Sequence, residues 1–408
     1  MRPERFWSIT VRRSAMPCVC RSRKLSISFR RKSDMEQTII EATTMEVQLK
    51  EVFEQHSTRQ VLFVLGASFR KQKLYGRLQE LMKNAGVGCT EFSDFQPNPK
   101  YESVVAGIEA LRAHHCDFII AAGGGSAMDV AKCIKLFSEM DLTKNCLEQE
   151  IVENALPLLA IPTTAGTGSE ATRFAVIYYQ GNKQSVAHPS CVPGWVLMEP
   201  ELLESLPMYQ RKATMLDAFC HAAESFWSVN STEDSREDAA EAIRLVLKYA
   251  DSYLANEKDG NAQMLRAANI AGKAINVTQT TAGHAMAYKI TTLYGLSHGH
   301  AVALVVDSLW PYMAAHTENC IDPRGEAYLK TMFEELAKVC GCDSVEASIE
   351  KYQNWFAALD LERPTLQNAG QLDLLTHSVN PVRLKNNPVQ LTEETLEELY
   401  RQILRVQA

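Results

Sequence analysis

Apolar runs and helical periods alternate along the first half of the chain, and helical periods alone fill the second. Over residues 41–56, Val47, Leu49, Val52 and Phe53 recur at spacings that suit a short amphipathic helix. Gln60-Val-Leu-Phe-Val-Leu-Gly66 is a continuous apolar run closed by glycine, the pattern of a strand buried on both faces. Leu74, Leu78, Leu81 and Met82 mark the helix that follows it. Residues 86–92 read as a second strand, 101–115 as a helix with Val104, Val105, Ile108 and Leu111 inward, and 117–122 as a third strand. Leu158-Leu-Ala-Ile-Pro162 is another strand, residues 174–179 and 185–187 around Gly181-Asn182 suit a hairpin, and Trp195-Val-Leu-Met198 is a short apolar run. Beyond about Pro207 the strand signals fade, and residues 209–229, 231–255, 261–276 and 392–406 carry helical spacing. The pattern predicts a mostly parallel α/β half followed by an all-helical half.

Composition changes this picture mainly at the N-terminus. Residues 1–33 hold ten of the 42 lysines and arginines but one of the 49 acids, which leaves the remainder plainly acidic. An acidic body argues against nucleic acid as a partner. The leader over residues 1–34 is rich in Arg and Ser and poor in acids, the composition of a mitochondrial transit peptide or of a disordered extension ahead of Met35. The expected location is cytoplasmic, or mitochondrial if the leader is a transit peptide. No apolar run approaches the roughly 20 residues that span a bilayer, so no membrane role is expected. The 11 cysteines are scattered without a CxxC, which argues against a zinc ribbon or a disulfide framework and for a reducing compartment.

The chemistry-bearing residues sit at the strand ends and in the helical half. The third strand runs into Gly123-Gly-Gly-Ser-Ala-Met-Asp-Val-Ala-Lys132, where glycines let backbone approach a ligand and Ser126 stands at an expected helix N-cap. A helix N-terminus there would offer N–H groups to a pyrophosphate. Gly124, Gly125 and Ser126 are the expected contacts, and this is not the GxGxxG fingerprint. Thr163-Thr-Ala-Gly-Thr-Gly-Ser169 places Thr163, Thr164 and Thr167 in a second loop able to bond ribose or phosphate. In the helical half, Asp217 and His221 are four residues apart and share a helix face. The segment 281–300 adds His284, His298 and His300. A carboxylate with several imidazoles suits a divalent cation such as Fe(II) or Zn(II).

Together, Gly123 to Lys132, Pro162 to Glu170, Asp217-Ala-Phe-Cys-His-Ala-Ala-Glu224 and His284-Ala-Met-Ala with Ser297-His298-Gly-His300 resemble the iron-containing, or group III, alcohol dehydrogenase family. The resemblance implies an α/β, Rossmann-like dinucleotide-binding domain over 40–206 and an all-α metal-binding catalytic domain over 207–408, the dehydroquinate synthase-like architecture. It implies Asp217, His221, His284 and His298 as metal ligands, Fe(II) with Zn(II) as the alternative, and leaves His300 outside that set. It adds Asp129 and Lys183 to the cofactor-binding positions and His284 and Tyr288 to the catalytic ones. Many family members carry histidine where Tyr288 stands, and a tyrosine with an ordinary pKa of about 10 is a poor base at neutral pH. NAD(H)-selective members often end the first strand with Asp. Here that position is Gly66, followed by Ser68, Arg70 and Lys71, which leans the choice between NADPH and NADH toward NADPH.

Within the family, Ser225 to Ser235, His284 to Thr291 and Leu384-Lys-Asn-Asn-Pro-Val389 resemble the phosphonoacetaldehyde reductase branch. The implied activity is reduction of that aldehyde to 2-hydroxyethylphosphonate, with a small-molecule substrate as partner and a homodimer as one open arrangement. Lys289, Arg173 and Arg236, with Asn230, Ser231 and Thr232, are the candidates to meet an anionic head group. The alternatives are a broad short-chain alcohol dehydrogenase with an apolar pocket of Phe219, Phe226 and Trp227, or a lyase of the dehydroquinate synthase type.

Overall fold

The structure is a computed structural model that describes residues 37–404. The basic leader, and the end of the helix expected over 392–406, lie outside the described residues. Eight strands occupy the first half: β1 (Thr38–Glu41), β2 (Gln60–Leu65), β3 (Gly88–Phe92), β4 (Phe118–Gly123), β5 (Leu158–Pro162), β6 (Phe174–Tyr179), β7 (Asn182–Ala187) and β8 (Trp195–Met198). Six form one parallel sheet in the order β1-β8-β5-β4-β2-β3, and β6 and β7 form a separate antiparallel hairpin. Between the strands run α1 (Met45–Gln55), α2 (Lys73–Asn84), α3 (Tyr101–Ala113) and α4 (Gly125–Phe137).

The apolar runs reflect burial on both faces of this sheet. Along β2, Val61, Phe63 and Leu65 enter one core with Leu49 of α1 and Leu78 of α2, while Leu62 and Val64 enter another with Ile108 of α3 and Ile134 of α4. Period-2 alternation thus separates two apolar sets rather than apolar from polar. Strand β1 was not expected. Its four residues pair with β8 (Ile39 with Val196), and the helix expected over 41–56 begins only at Met45. Four residues with one apolar pair carry no period, and the partner strand lies far along the chain.

The strand order also places a crevice. The chain goes from β2 outward to β3, then returns so that β4 pairs on the other side of β2. Loops leaving the carboxyl ends of β2 and β4 therefore part at a topological switch point, where open parallel sheets bind ligands. Gly66 and Gly123 stand there, with the Gly66 N–H donating to the Ala122 carbonyl at 2.9 Å. Helix α4 starts two residues earlier than the Ser126 cap predicts. Its N-cap is Gly124, and no side chain caps its first N–H groups.

The second half is helical: α5 (Met208–Trp227), α6 (Glu233–Leu254), α7 (Lys258–Thr278), α8 (Ala282–Tyr294), α9 (His298–Ala315), α10 (Glu326–Val339), α11 (Val345–Ala358), α12 (Ala369–His377), α13 (Pro381–Leu384) and α14 (Glu393–Ile403). Helix α5 is central and packs on α6, α7 and α9. Among the described residues, no helix is long and apolar enough to cross a membrane.

Arg211 ties the start of α5 to its surroundings. Its guanidinium is buried and donates to the carbonyls of Leu203 and Tyr253 (2.7 Å for the latter) and to the side-chain oxygens of Asn256 and Asn261 (2.8 Å for the latter). Arg211→Met would strip several buried acceptors of their donor at once. The expected loss is roughly 3 kcal/mol of unfolding free energy, read as a lower urea midpoint. A midpoint equal to that of the parent would contradict this role.

Candidate active site

Three buried side chains of α5, Asp217, His221 and Glu224, fall at i, i+4 and i+7 and so point the same way. The segment 281–300 folds as the end of a loop, a helix, a break and a second helix. Thr281 precedes α8, His284 lies in its first turn, Gly295 closes it in the left-handed conformation (φ +67°), and His298 is the first residue of α9. Two helix starts thereby meet the α5 face. Glycine is what lets them approach: a Cβ at Gly283 would overlap the Glu224 carboxylate, and one at Gly299 would overlap the Ala213 carbonyl and the Asp217 side chain.

The Glu224 carboxylate orients the cluster. One oxygen accepts from the His284 N–H (2.8 Å) and lies 3.0 Å from His284 Nδ1; the other accepts from the Thr281 N–H and hydroxyl (3.0 Å for the latter). Burial opposes the Glu224 charge, but His284 and the Thr281 donors outweigh it and hold its pKa below the usual carboxylate value. With Nδ1 engaged, His284 presents Nε2 toward Asp217, 3.5 Å from Oδ1. Both of those atoms are buried and have no hydrogen-bond partner.

Ligand atoms of Asp217, His284 and His298 lie within 4.8 Å of one another. His221 stacks on His284 with ring centres 4.3 Å apart, and its Nδ1 is 3.3 Å from the Gly166 carbonyl. Buried polar atoms are normally satisfied, and two unpartnered ones facing each other beside further imidazoles fit a divalent cation. Burial pushes His221 down to about 4 and His298 to about 3, so both offer lone pairs at neutral pH. Burial would lower His284 too, but Glu224 and Asp217 raise it to about 9. A divalent cation at Nε2 would take the place of that proton and leave the Nδ1–H to the Glu224 carboxylate. Burial would raise Asp217, yet the neighbouring histidines hold it well below the ordinary range. His300 turns away, with its Nδ1 3.2 Å from the Tyr209 hydroxyl.

A cavity of about 290 Å³ runs from this cluster to the start of α4. Gly125, Ser126, Asp129 and Thr167 line one end, Asp217, His221, His284 and His298 the other, and Lys183 and Tyr288 stand along it. Gly66, Ser68, Gly124, Thr163 and Thr164 do not line it. Gly124 and Gly125 instead pack on the second loop: an added Cβ would lie 3.5 Å from Thr164 and 3.3 Å from Thr167. The Thr163 N–H donates to the Gly123 carbonyl at 3.0 Å. Asp129 ties α4 to its neighbours, accepting from the Ser169 hydroxyl (3.0 Å) and the Val176 N–H (3.1 Å). Lys132, unremarked in sequence, is fully buried and donates to the hydroxyls of Ser169 (3.0 Å) and Thr172 (3.1 Å) and the Phe174 carbonyl (2.8 Å).

Tyr288 stacks parallel on His298 with ring centres 5.3 Å apart, and Lys183 Nζ sits 3.0 Å from the centre of the Tyr288 ring. Burial raises the Tyr288 pKa, so its hydroxyl stays protonated at neutral pH and acts as a donor rather than a base. Burial, and then the charge of Arg383, push Lys183 down to about 7.

The residues expected to meet the substrate are elsewhere. Lys289, Arg173 and Arg236 do not line the cavity, and Arg236 donates to the Tyr328 hydroxyl at 2.8 Å. Asn230 donates to the Thr278 carbonyl, Ser231 accepts from Arg324, and Thr232 caps α6. Phe219, Phe226 and Trp227 are buried core: Phe219 stacks on Tyr352 at 5.2 Å, and Trp227 packs against Trp310 at 5.7 Å. None of the three lines the cavity, so the apolar pocket of the alternative reading is not built from them. Sequence reading also missed Glu224 as an orienting group, although its i+7 spacing from Asp217 signals it, and Arg383, which no local pattern marks.

Comparison with known proteins gives the family. The iron-containing alcohol dehydrogenase family matches residues 37–200, and the C-terminal part of the Fe-containing alcohol dehydrogenase family matches residues 212–404. The phosphonoacetaldehyde reductase of Streptomyces viridochromogenes is 31% identical over 312 residues, covering 73% of this chain and 79% of that protein. Alcohol dehydrogenase 4 of Schizosaccharomyces pombe is 29% identical over 84% of this chain and 82% of its own. The crystal structure of sulfoacetaldehyde reductase from Bifidobacterium kashiwanohense in complex with NAD+ superposes with a TM-score of 0.80 at 27% identity, covering 90% of this chain and 97% of that one. An α/β domain with a parallel sheet, a helical C-terminal domain and both family matches lead to one assignment: this chain belongs to the iron-containing alcohol dehydrogenase family of oxidoreductases acting on CH–OH groups.

Proposed function

We propose that this protein is a metal-dependent, nicotinamide-linked reductase of a small aldehyde with an anionic head group, with phosphonoacetaldehyde as leading substrate and 2-hydroxyethylphosphonate as product. The observation that carries the reaction type is the continuous cavity between the uncapped start of α4 and the Asp217–His284–His298 cluster. It gives a dinucleotide and a carbonyl compound room to meet at a cation. The head group is supported by similarity to a phosphonoacetaldehyde reductase and to a sulfoacetaldehyde reductase.

In this reading Asp217, His221, His284 and His298 hold one divalent metal, Fe(II) favoured and Zn(II) the alternative, and Glu224 fixes the His284 tautomer. When bound, the metal supplies Lewis-acid polarisation of a carbonyl and the dihydronicotinamide supplies hydride. The protein positions and protonates. Gly125 and Ser126 N–H groups and Thr167 receive the pyrophosphate, Asp129 and Lys132 brace the loops that make that seat, and Lys183 borders the nicotinamide side. The Tyr288 hydroxyl and Lys183 Nζ are the proton-bearing groups along the cavity. A broad short-chain alcohol dehydrogenase is less well supported because the aromatic residues expected to build its pocket are buried in the core.

Three outcomes are expected. His284→Ala should lose its metal, and Glu224→Ala should weaken metal affinity by roughly 10–100-fold, both read by metal analysis after dialysis; stoichiometric metal in His284→Ala would sink the ligand assignment. After chelation, restoring Fe(II) or Zn(II) separately should return consumption of reduced cofactor. Phosphonoacetaldehyde should then be favoured over propanal, and turnover of the cofactor itself excludes a lyase. Gly66 removes the acid that repels a 2′-phosphate, and Arg70 is engaged by Glu91 at 2.8 Å, which leaves Ser68 and Lys71 nearby. NADPH should therefore be used at least as well as NADH, and a preference for NADH above about tenfold in kcat/KM, ~1.4 kcal/mol, would overturn that choice.

A further inference from the structure

The cavity also carries an arginine, Arg383, to which neither the metal ligands nor the cofactor-binding residues above give a task. On β7, Lys183 and Ser185 are two residues apart and face the cavity together. Arg383, on the short helix α13 of the helical half, reaches across to them and donates from Nη2 to the Ser185 hydroxyl at 3.2 Å. Among the described residues, no carboxylate forms an ion pair with Lys183 or Arg383, and they are the only lysine or arginine side chains lining the cavity. Asp129 is committed to Ser169 and the Val176 N–H. Two cations therefore converge on one cavity with no carboxylate ion-paired to either, and burial, then the charge of Arg383, push Lys183 down to about 7 against the opposing pull of Asp129.

The placement of Arg383 is built, not incidental. Asn380 accepts from the Val382 N–H at 2.9 Å and starts α13 together with Pro381. Past its end, Asn386 donates to the Thr280 carbonyl (3.1 Å), accepts from Asn230 (3.1 Å) and receives the Val229 N–H on its own carbonyl (3.1 Å). These bonds strap α13 to the loop before α8 and to the end of α5. They give the segments around Asn230 and Asn386 a structural task, that of holding Arg383 over the cavity. Neighbouring groups also run toward the metal cluster: Arg383 bonds Ser185, two residues along β7 from Lys183, Lys183 lies on the Tyr288 ring, and Tyr288 stacks on His298.

We propose that Arg383 recognises the anionic head group of the aldehyde substrate, with Lys183 and the Ser185 hydroxyl completing the site. The proposal rests on the reading of the substrate as an anionic aldehyde and names the residues that make it so. A guanidinium matches a phosphonate or sulfonate with two parallel N–H···O bonds, and the neighbouring ammonium and hydroxyl take up a further oxygen. Aldehyde and head group then lie at the two ends of one short molecule, between the metal cluster and the β7–α13 bridge. A phosphate of the cofactor is the other source of the same chemistry, and the experiment separates the two.

Arg383→Met, Arg383→Lys and, as a control on a cation outside the cavity, Arg173→Met are assayed in the metal-loaded enzyme with phosphonoacetaldehyde and with propanal. The ratio of the two kcat/KM values should fall by roughly thirtyfold or more in Arg383→Met. It should recover in part in Arg383→Lys, which keeps the charge but not the fork, and stay at the parent value in Arg173→Met. Calorimetric affinity for 2-hydroxyethylphosphonate, with oxidised cofactor present, should fall in parallel. A parent that prefers phosphonoacetaldehyde and an Arg383→Met that keeps the ratio within about threefold would overturn the role of Arg383 and leave the anionic substrate standing. A parent with no preference would remove both. A rise in the KM for reduced cofactor, measured with propanal and as large as the rise for phosphonoacetaldehyde, would assign Arg383 to the cofactor and overturn the proposal.

Discussion

The buried carboxylate of Glu224 is the constraint on which the site depends. It lies inside the helical half with no exposure and meets the first turn of α8 through two backbone N–H groups, a hydroxyl and an imidazole. Burying a lone carboxylate costs several kcal/mol, and charge-assisted hydrogen bonds return about 1.5–3 kcal/mol each. The two roughly cancel. What the arrangement contributes is therefore geometry more than stability: one helix start, one ring orientation and one tautomer of His284. Gly283 is the steric counterpart, since any side chain there would occupy the carboxylate's place.

The same logic governs the α/β half. A parallel sheet brings two glycine-bearing loops to one switch point, but loops of small residues do not hold a shape by packing. Lys132 and Asp129, both on α4, supply polar pins instead: Lys132 binds Ser169, Thr172 and the Phe174 carbonyl, and Asp129 binds Ser169 and the Val176 N–H. Burial depresses Lys132 and raises Asp129, and each charge offsets part of the effect on the other. The loop after β5 is thus fixed to the helix whose N-terminus it faces, and close backbone contact between Gly168 and Gly272 of α7 fixes it to the helical half as well.

Much of this was legible in the sequence, and for identifiable reasons. Strands β2, β4 and β5 are continuous apolar runs because both faces of the sheet are covered, so their signal is strong and their ends fall within a residue of expectation. Helices α5, α6 and α7 are long and periodic and shift by at most three residues at either end from the spans expected. Asp217 and His221 declare themselves by an i, i+4 spacing that holds on any helix. The glycine-rich runs after β4 and β5 mark close backbone approach wherever they occur.

Tertiary structure decided what spacing within one element cannot encode. Strand β1 exists because β8 lies beside it, and the N-cap of α4 falls on Gly124 rather than on Ser126. Lys289, Arg173 and Arg236 were pocket candidates by proximity in sequence, yet none of the three lines the cavity. Phe219, Phe226 and Trp227 share α5 with the ligands but point into the helix bundle, because a helix buried on several sides has more than one inward face. Arg383 joins the site from almost a hundred residues beyond His284, on a four-residue helix with no period of its own. Local sequence therefore determined the strands, the long helices and the chemical type of the donors; the choice of cations facing the cavity came only from how α13, β7 and α8 pack, since distance through space is not written in distance along the chain.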